Sequence, residues 1–247
     1  MKAMHQSQVS LRKYFLGGVC ALSLIWMLLG TAAQDTLTLS GVLDGYSPRL
    51  SAAILTVAYQ QLGISVTAEY LPNERAIVDA NDGVLDGVLD RRAGMTEIYP
   101  NLMMVPVVLM TSDWVVFTKQ ARFPVQGWES LRPYMIALQR GSKGPEKGTE
   151  GMNRTIVTAK EQMFQMLEAG QVDVVLAIRE DGLRVLKQLG FTDITILEPS
   201  LQQVPVYHYL HKKHAALVSK ITAVLQVMEA EGQFTPITAR VLQEWLQ

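Results

Sequence analysis

The side chains that could do chemistry in this chain are mostly arginines and carboxylates, with a few small hydroxyl and glycine residues between them. Arg91 and Arg92 stand side by side just after the apolar stretch 84–89. A planar guanidinium fork can hold a carboxylate through two parallel hydrogen bonds, so either residue suits a small anion. Tyr46 and Ser47 pair a ring that could stack on a ligand with a hydroxyl that could bond to it. Ser47, followed by Pro48, also has the pattern of a helix N-cap and first turn. Arg75 falls near another helix start, Gly141 and Ser142 offer backbone N–H groups in a glycine-rich loop, and Arg179, Glu180 and Asp181 form a third charged cluster.

Other chemistries find no support. No Gly-x-Ser-x-Gly and no His-Glu-x-x-His segment is present. The loop 141–145 lacks the Gly-Lys-Ser/Thr spacing of a nucleotide-binding P-loop. His208, His211 and His214 recur every third residue, but the first falls in a strand pattern and the others near a helix start. They need not share a face, and Lys212 and Lys213 would repel a cation. Neither metal nor cofactor is therefore expected. The methionines at 103, 104, 163 and 166 read as core filler. Glu180 or Asp181 with a cleft histidine would make an acid–base pair, and this is the enzymatic alternative.

The elements that must position these residues alternate. Residues 36–42 read as a strand, 47–62 as a helix ended by Gly63, and 64–71 as a strand. A short helix follows from Pro72 and Asn73, and 84–89 is a third strand. This is a parallel α/β unit with right-handed crossovers. The pattern restarts with a strand at 114–118, a short helix or turn at 126–133 and a strand at 135–138. Thr158 and Glu161 have the spacing of a capping box; an apolar strand at 172–178, a helix ending at Gly190 and a strand at 194–197 follow. After Pro205 come a strand at 206–210 and two helices with no sheet of their own, so the chain is expected to cross back onto its first unit. The fold class is thus α/β and two-lobed, each lobe a mostly parallel sheet flanked by helices. The first lobe takes residues 34–118 and 205–247, and the second takes 119–204. In open α/β sheets ligands bind beyond the carboxyl ends of the strands. The rule gathers residues 44–47, Arg75, 90–92, 141–143 and 178–181 at one cleft.

The first 33 residues have another character. Arg12 and Lys13 precede a nearly unbroken apolar run, 14–30, and Thr31, Ala32 and Ala33 follow as small residues before a polar restart. That order is the mark of a cleavable secretory signal, and at this length the run is at the short limit for a membrane span. Cys20, the single cysteine, lies within the run. It follows Val19, which is too large for lipoprotein processing, so lipidation is not expected. Cleavage leaves 19 basic against 23 acidic side chains, a net charge of −4. Nucleic acid and charge-driven membrane binding are both disfavoured by that balance. A periplasmic location, a small-molecule ligand and a monomeric state are the expectations.

Four segments in order carry a resemblance. These are Leu71-Pro72-Asn73-Glu74-Arg75-Ala76, Asp86-Gly87-Val88-Leu89-Asp90-Arg91, Tyr99-Pro100-Asn101-Leu102 and the stretch from Val206 to His214. Together they resemble the extracellular solute-binding proteins of family 3, the type II periplasmic fold of amino-acid ABC transporters, in a divergent branch of small members. The resemblance implies a ligand held between two lobes and delivered to an ABC permease, or a ligand-bound state read by a membrane sensor. Some enzymes, dehydratases among them, share the fold. Family members carry an arginine five residues after the threonine of a Gly-Met-Thr segment, to hold the ligand carboxylate. Gly94-Met95-Thr96 is present here, but the fifth residue on is Asn101. The aspartate that holds the ligand ammonium is matched by Ile178, with Arg179, Glu180 and Asp181 just beyond. Both poles of the amino-acid clamp are altered. The expected ligand is a small polar or anionic molecule, amino-acid-like or a small carboxylate. Arg91, Arg92, Tyr46, Ser47, Arg75, Gly141, Ser142, Arg179 and Asp181 are the expected contacts.

Overall fold

A computed structural model describes residues 35–247; the expected signal segment, 1–33, lies outside them. The first unit runs β1 (Thr36–Val42), α1 (Tyr46–Gln60), β2 (Ser65–Leu71), α2 (Asn73–Asn81), β3 (Gly87–Arg92) and the single turn α3 (Met95–Ile98). A long strand, β4 (Leu102–Thr118), leads through a 3-10 turn at Trp128–Leu131 to β5 (Ile136–Gln139), α4 (Lys143–Gly148), β6 (Arg154–Val157) and α5 (Lys160–Glu168). Then come β7 (Val174–Ile178), α6 (Arg179–Leu189), a second long strand β8 (Thr195–His211), a 3-10 turn, α7 (Ala215–Ala230) and α8 (Phe234–Trp245).

One sheet joins them in the order β2-β1-β3-β8-β4-β7-β5-β6. β1 pairs parallel with β2 and β3, β5 pairs parallel with β6 and β7, and the two long strands run antiparallel through the middle. β3 pairs with the end of β8 that holds Val206–Leu210, whereas β7 pairs with the end of β4 at Trp114–Thr118. Each half of the sheet therefore carries its own pair of cores. In the first half Leu39, Ile54 and Leu55 pack with Ile221, Leu225, Met228 and Trp245 from α7 and α8. The opposite face closes over Ile77, Val88 and Tyr209. In the second half, Phe117, Phe164 and Val175 form one core and Leu131, Ile136 and Leu176 the other.

The central ribbon differs most from the sequence reading, in which 114–118, 194–197 and 206–210 are separate short strands. Pro106, Pro199 and Pro205 look like breakers, because a proline has no N–H for the ladder. The ribbon accommodates the first of them at a bulge, where the register shifts between Met104 and Val108. The third strand is also displaced, to Gly87–Arg92, so Arg91 and Arg92 belong to the strand rather than to the loop after it. Gly87 starts it because nothing larger fits: a Cβ there would collide with the carbonyl oxygen of Tyr209. Gly182 plays the same part in α6, where a Cβ would run into the Phe117 ring. β6 was not anticipated; its four residues, Arg-Thr-Ile-Val, are too few to show a period.

Two caps are corrected. α1 begins at Tyr46 with Gly45 at the N-cap position, so Ser47 lies inside the first turn and its hydroxyl is free for other work. α5 begins at Lys160 behind Ala159, and neither Thr158 nor Glu161 makes a capping-box bond. The Gly190 stop is as expected: it adopts φ 70° and donates its N–H to the end of α6.

Candidate functional site

The carboxylates, not the arginines, organise the place where the two halves of the sheet meet. Asp181, in the first turn of α6, is buried. Its Oδ1 accepts the Tyr46 backbone N–H at 2.9 Å, and its Oδ2 accepts the Lys160 ammonium at 2.7 Å. Lys160 also donates to the carbonyl of Asp44 at 2.6 Å. The Asp44 carboxylate in turn meets Arg184 Nη1 at 3.1 Å. Three residues of the second half (Lys160, Asp181 and Arg184) are thereby tied to Asp44 and Tyr46 of the first.

Asp90 lies deeper. It is a β3 residue with 5% of its surface exposed. The Ser47 hydroxyl donates to one of its oxygens, and the other, Oδ1, is buried without a partner. Burial raises its pKa above the ordinary carboxylate value and nearby Asp181 adds to that, while the Arg91 guanidinium and the Ser47 hydrogen bond oppose it. Glu180 behaves alike: its Oε2 is buried and unpartnered. Desolvation pushes its pKa up, helped by Asp181 and Asp113. Burial likewise drives the Tyr46 phenol to about 12, with Glu180 contributing. Donors are what this cluster lacks.

The expected ligand contacts divide into two groups. Tyr46, Ser47, Arg91 and Asp181 come together around Asp90. Arg91 is half-buried, and its Nη1 donates to the Asp90 carbonyl at 2.8 Å while Nη2 donates to the Asn73 carbonyl at 3.2 Å. The Asn73 side chain reaches the Gly141 carbonyl at 3.3 Å, which brings the glycine loop to the same edge. Gly141 spends its N–H on Glu146, and Ser142 accepts the Glu146 N–H at the head of α4. The remaining arginines are occupied elsewhere. Arg92 is exposed and bonds to the Ala93 carbonyl. Arg75 pairs with Asp79 at 3.1 Å along its own helix. Arg179 forks onto Glu198 at 2.8 and 3.2 Å.

Lys160 was not anticipated, and Asp44, gathered at the cleft by the strand-end rule, was not singled out as a contact. A lysine at the first position of a helix faces the positive end of the dipole, which disfavours it; that misplacement is the signal that a carboxylate must be waiting for it. Among the described residues no histidine is an acid–base partner of Glu180 or Asp181. His208 is buried, with Nδ1 at 2.7 Å from the Val88 carbonyl and Nε2 at 2.9 Å from the Tyr59 hydroxyl. His214 meets Asp86 at 2.8 Å, and His211 accepts the Lys213 N–H. Among the described residues no cluster of three or more His, Cys, Asp or Glu side chains is placed to hold a metal ion, and no helix is long and apolar enough to cross a membrane.

No family model matches the chain. A relative in Shewanella oneidensis, an uncharacterized protein, is 24% identical over 189 residues, covering 73% of this chain and 71% of its own length. Solved structures are similar over more of the chain. A histidine kinase sensor domain with similarity to periplasmic binding proteins superposes with a TM-score of 0.67 at 18% identity, covering 85% of this chain and 97% of that one. The amino acid ABC transporter substrate-binding protein AbpA of Streptococcus pneumoniae, bound to L-arginine, gives 0.65 at 13% identity over 86% of this chain and 97% of that one. An ancestral arginine-binding protein bound to glutamine gives 0.64 at 18% identity, over 83% and 97%. The fold is that of the two-lobed solute-binding proteins. These structural neighbours are ligand-binding proteins. The Asp90, Glu180 and Asp181 carboxylates stand where the two halves of its sheet meet.

Proposed function

We propose that this chain is an exported, periplasmic solute-binding protein whose lobes, 34–118 with 205–247 and 119–204, close on one small polar solute. The observation that carries the reading is the pair of buried, unpartnered carboxylate oxygens, Asp90 Oδ1 and Glu180 Oε2, beside Asp181. A buried acceptor without a donor is costly, on the order of 1–3 kcal/mol for a neutral group and more for a charged one. A solute bearing an ammonium or guanidinium end would supply the missing donors, and Lys160 would yield Asp181 to it. An amino-acid-like solute fits best, with its cationic end at the carboxylates and its anionic end toward Arg91. Tyr46 and Ser47 would sit beneath it and Gly141 and Ser142 at its edge, with Arg75, Arg92 and Arg179 at the rim. The arginine and glutamine held by the structural neighbours support this solute class.

Capture serves either an ABC permease or a membrane sensor. The sensor reading is supported by the kinase domain among the structural neighbours; a permease gene beside this one would favour transport, and a kinase gene sensing. The test of capture is a thermal-shift screen with amino acids, small carboxylates, polyamines and sugars. A solute at 100 times its Kd adds about 2.7 kcal/mol of stability. Amine-bearing solutes are expected to shift the midpoint. A panel in which carboxylates or sugars alone do so would overturn the cationic end, and a panel with no shift would overturn capture itself.

A further inference from the structure

Behind the Tyr46–Trp245 pair lies a cavity of about 480 Å³, between α1, β2, α6 and α8. None of the expected ligand contacts lines it. Its wall holds Arg49, Arg184, Lys187 and Arg240 together with the rings of Tyr70 and Trp245. Glu244 is the one acidic side chain among the lining residues, and it is paired with Arg240 at 3.3 Å.

The aromatic rings hold guanidiniums in place. Arg184 lies 4.0 Å from the centre of the Trp245 ring, and Arg49 lies 5.6 Å from it and 5.3 Å from that of Tyr70. Cation–π contact fixes a guanidinium over a ring while leaving its N–H edge available to an acceptor. Arg49 makes no ion pair with any carboxylate among the described residues. Lys187 spends its ammonium on the Leu246 carbonyl at 2.5 Å, which leaves its charge uncompensated. Arg184 is also paired, with Asp44 at 3.1 Å, so two carboxylates meet four cations around one hollow, and the remaining positive charge favours an entering anion. The volume falls in the range of small-molecule sites.

We infer that this cavity binds a small dianion, a phosphate group or a short dicarboxylate, held by Arg49, Arg184, Lys187 and Arg240 on the Trp245–Tyr70 scaffold. Arg184 and Lys187 come from α6 and the other two cations from α1 and α8, so the dianion bridges the two lobes. The site is separate from the cleft of carboxylates and needs no solute there.

Calorimetry on the secreted chain tests it, with inorganic phosphate in one arm, succinate in a second and chloride at equal ionic strength in a third. Arg49, Lys187 and Arg240 are exposed, so their substitution does not threaten the fold. Saturable one-to-one binding of phosphate or succinate is expected, the responsive arm telling which dianion is preferred. Arg49→Gln and Lys187→Gln should each weaken it at least about tenfold, as loss of a charge-assisted bond does, and Arg132→Gln, at an exposed arginine outside both sites, should leave it unchanged. The inference is overturned if no dianion gives saturable heat beyond chloride, or if Arg132→Gln weakens binding as much as Arg49→Gln.

Discussion

On one side of the Tyr46–Trp245 pair, buried Asp90 and Asp181 and half-buried Glu180 crowd carboxylates together; on the other, Arg49, Arg184, Lys187 and Arg240 crowd cations around an open hollow. The sign of the charge matters less than the exposure. Asp181 and Lys160 keep 7% and 16% of their side-chain surfaces exposed, whereas Arg240 and Glu244 keep 58% and 59%. In the cleft, water cannot rescue a charge that loses its partner. In the hollow it can, which is why Arg49 and Lys187 persist there without carboxylates. Buried charge sets stability and pH response; exposed charge sets which small ions gather.

The largest expected effect follows from removing Asp181. Asp181→Ala strands the Lys160 ammonium and frees the Tyr46 N–H. Breaking a buried pair by deleting one partner costs about 3–5 kcal/mol, and Lys160 retains only the Asp44 carbonyl. A urea titration should show the loss in full, and Lys160→Met, which strands the more buried Asp181 carboxylate, should cost a comparable amount. Losses below about 1 kcal/mol from both would show that the ion pair is no more than a surface contact, and the contrast between cleft and hollow would fail.

A smaller effect, with a definite pH signature, is expected at Asp90. Its folded pKa is raised, chiefly by burial. The folded protein therefore holds this proton to higher pH than the unfolded chain does. Stability is greatest below the unfolded value, and the Asp90 contribution falls as pH rises through the folded one. Asp90→Asn cannot ionise, so it should abolish that decline and be the more stable protein at neutral pH. It should also lose affinity for the cleft solute. Denaturation midpoints from pH 3 to 8, roughly the span over which carboxylates titrate, are the measurement. A variant with the same slope as the parent would show that Asp90 is ionised without cost.

The carboxylate side of this contrast was partly legible in the residues, and the cationic hollow was not. The α/β alternation, the glycine stops and the gathering of Tyr46, Ser47, Arg91 and Asp181 follow from period, turn chemistry and the strand-end rule. What was hidden depends on contacts distant in sequence. Ser47 and Pro48 fit a cap pattern so well that the serine's partner 43 residues away, Asp90, could not be guessed. Lys160 and Asp181 lie 21 residues apart on different helices, and nothing local pairs them. The long ribbon was hidden by its prolines, since a bulge is a property of two paired strands and cannot be read from one. Arg91 and Arg92 are neighbours of one type, yet strand alternation sends the first to half-buried carbonyls and the second to solvent.

The smallest expected effect gives the comparison its baseline. Arg75 and Asp79 form an ion pair at 3.1 Å, four residues apart on α2, with 70% of the arginine side chain exposed. Its chemistry is that of Lys160 and Asp181, a cation on a carboxylate at bonding distance. Water already solvates the guanidinium, salt screens the attraction, and ordering two long side chains offsets part of the gain. Arg75→Ala should therefore cost about 0.3–0.5 kcal/mol, the ordinary worth of such a helical pair. Raising the salt to 1 M should erase even that, while leaving most of the Asp181→Ala loss in place, because a buried pair is poorly screened. Paired urea titrations at low and high salt measure both at once. An Arg75→Ala loss above about 1 kcal/mol that survives salt would exceed what exposed pairs deliver; exposure would then not be what separates the two regions, and the explanation would have to lie in their local geometry instead.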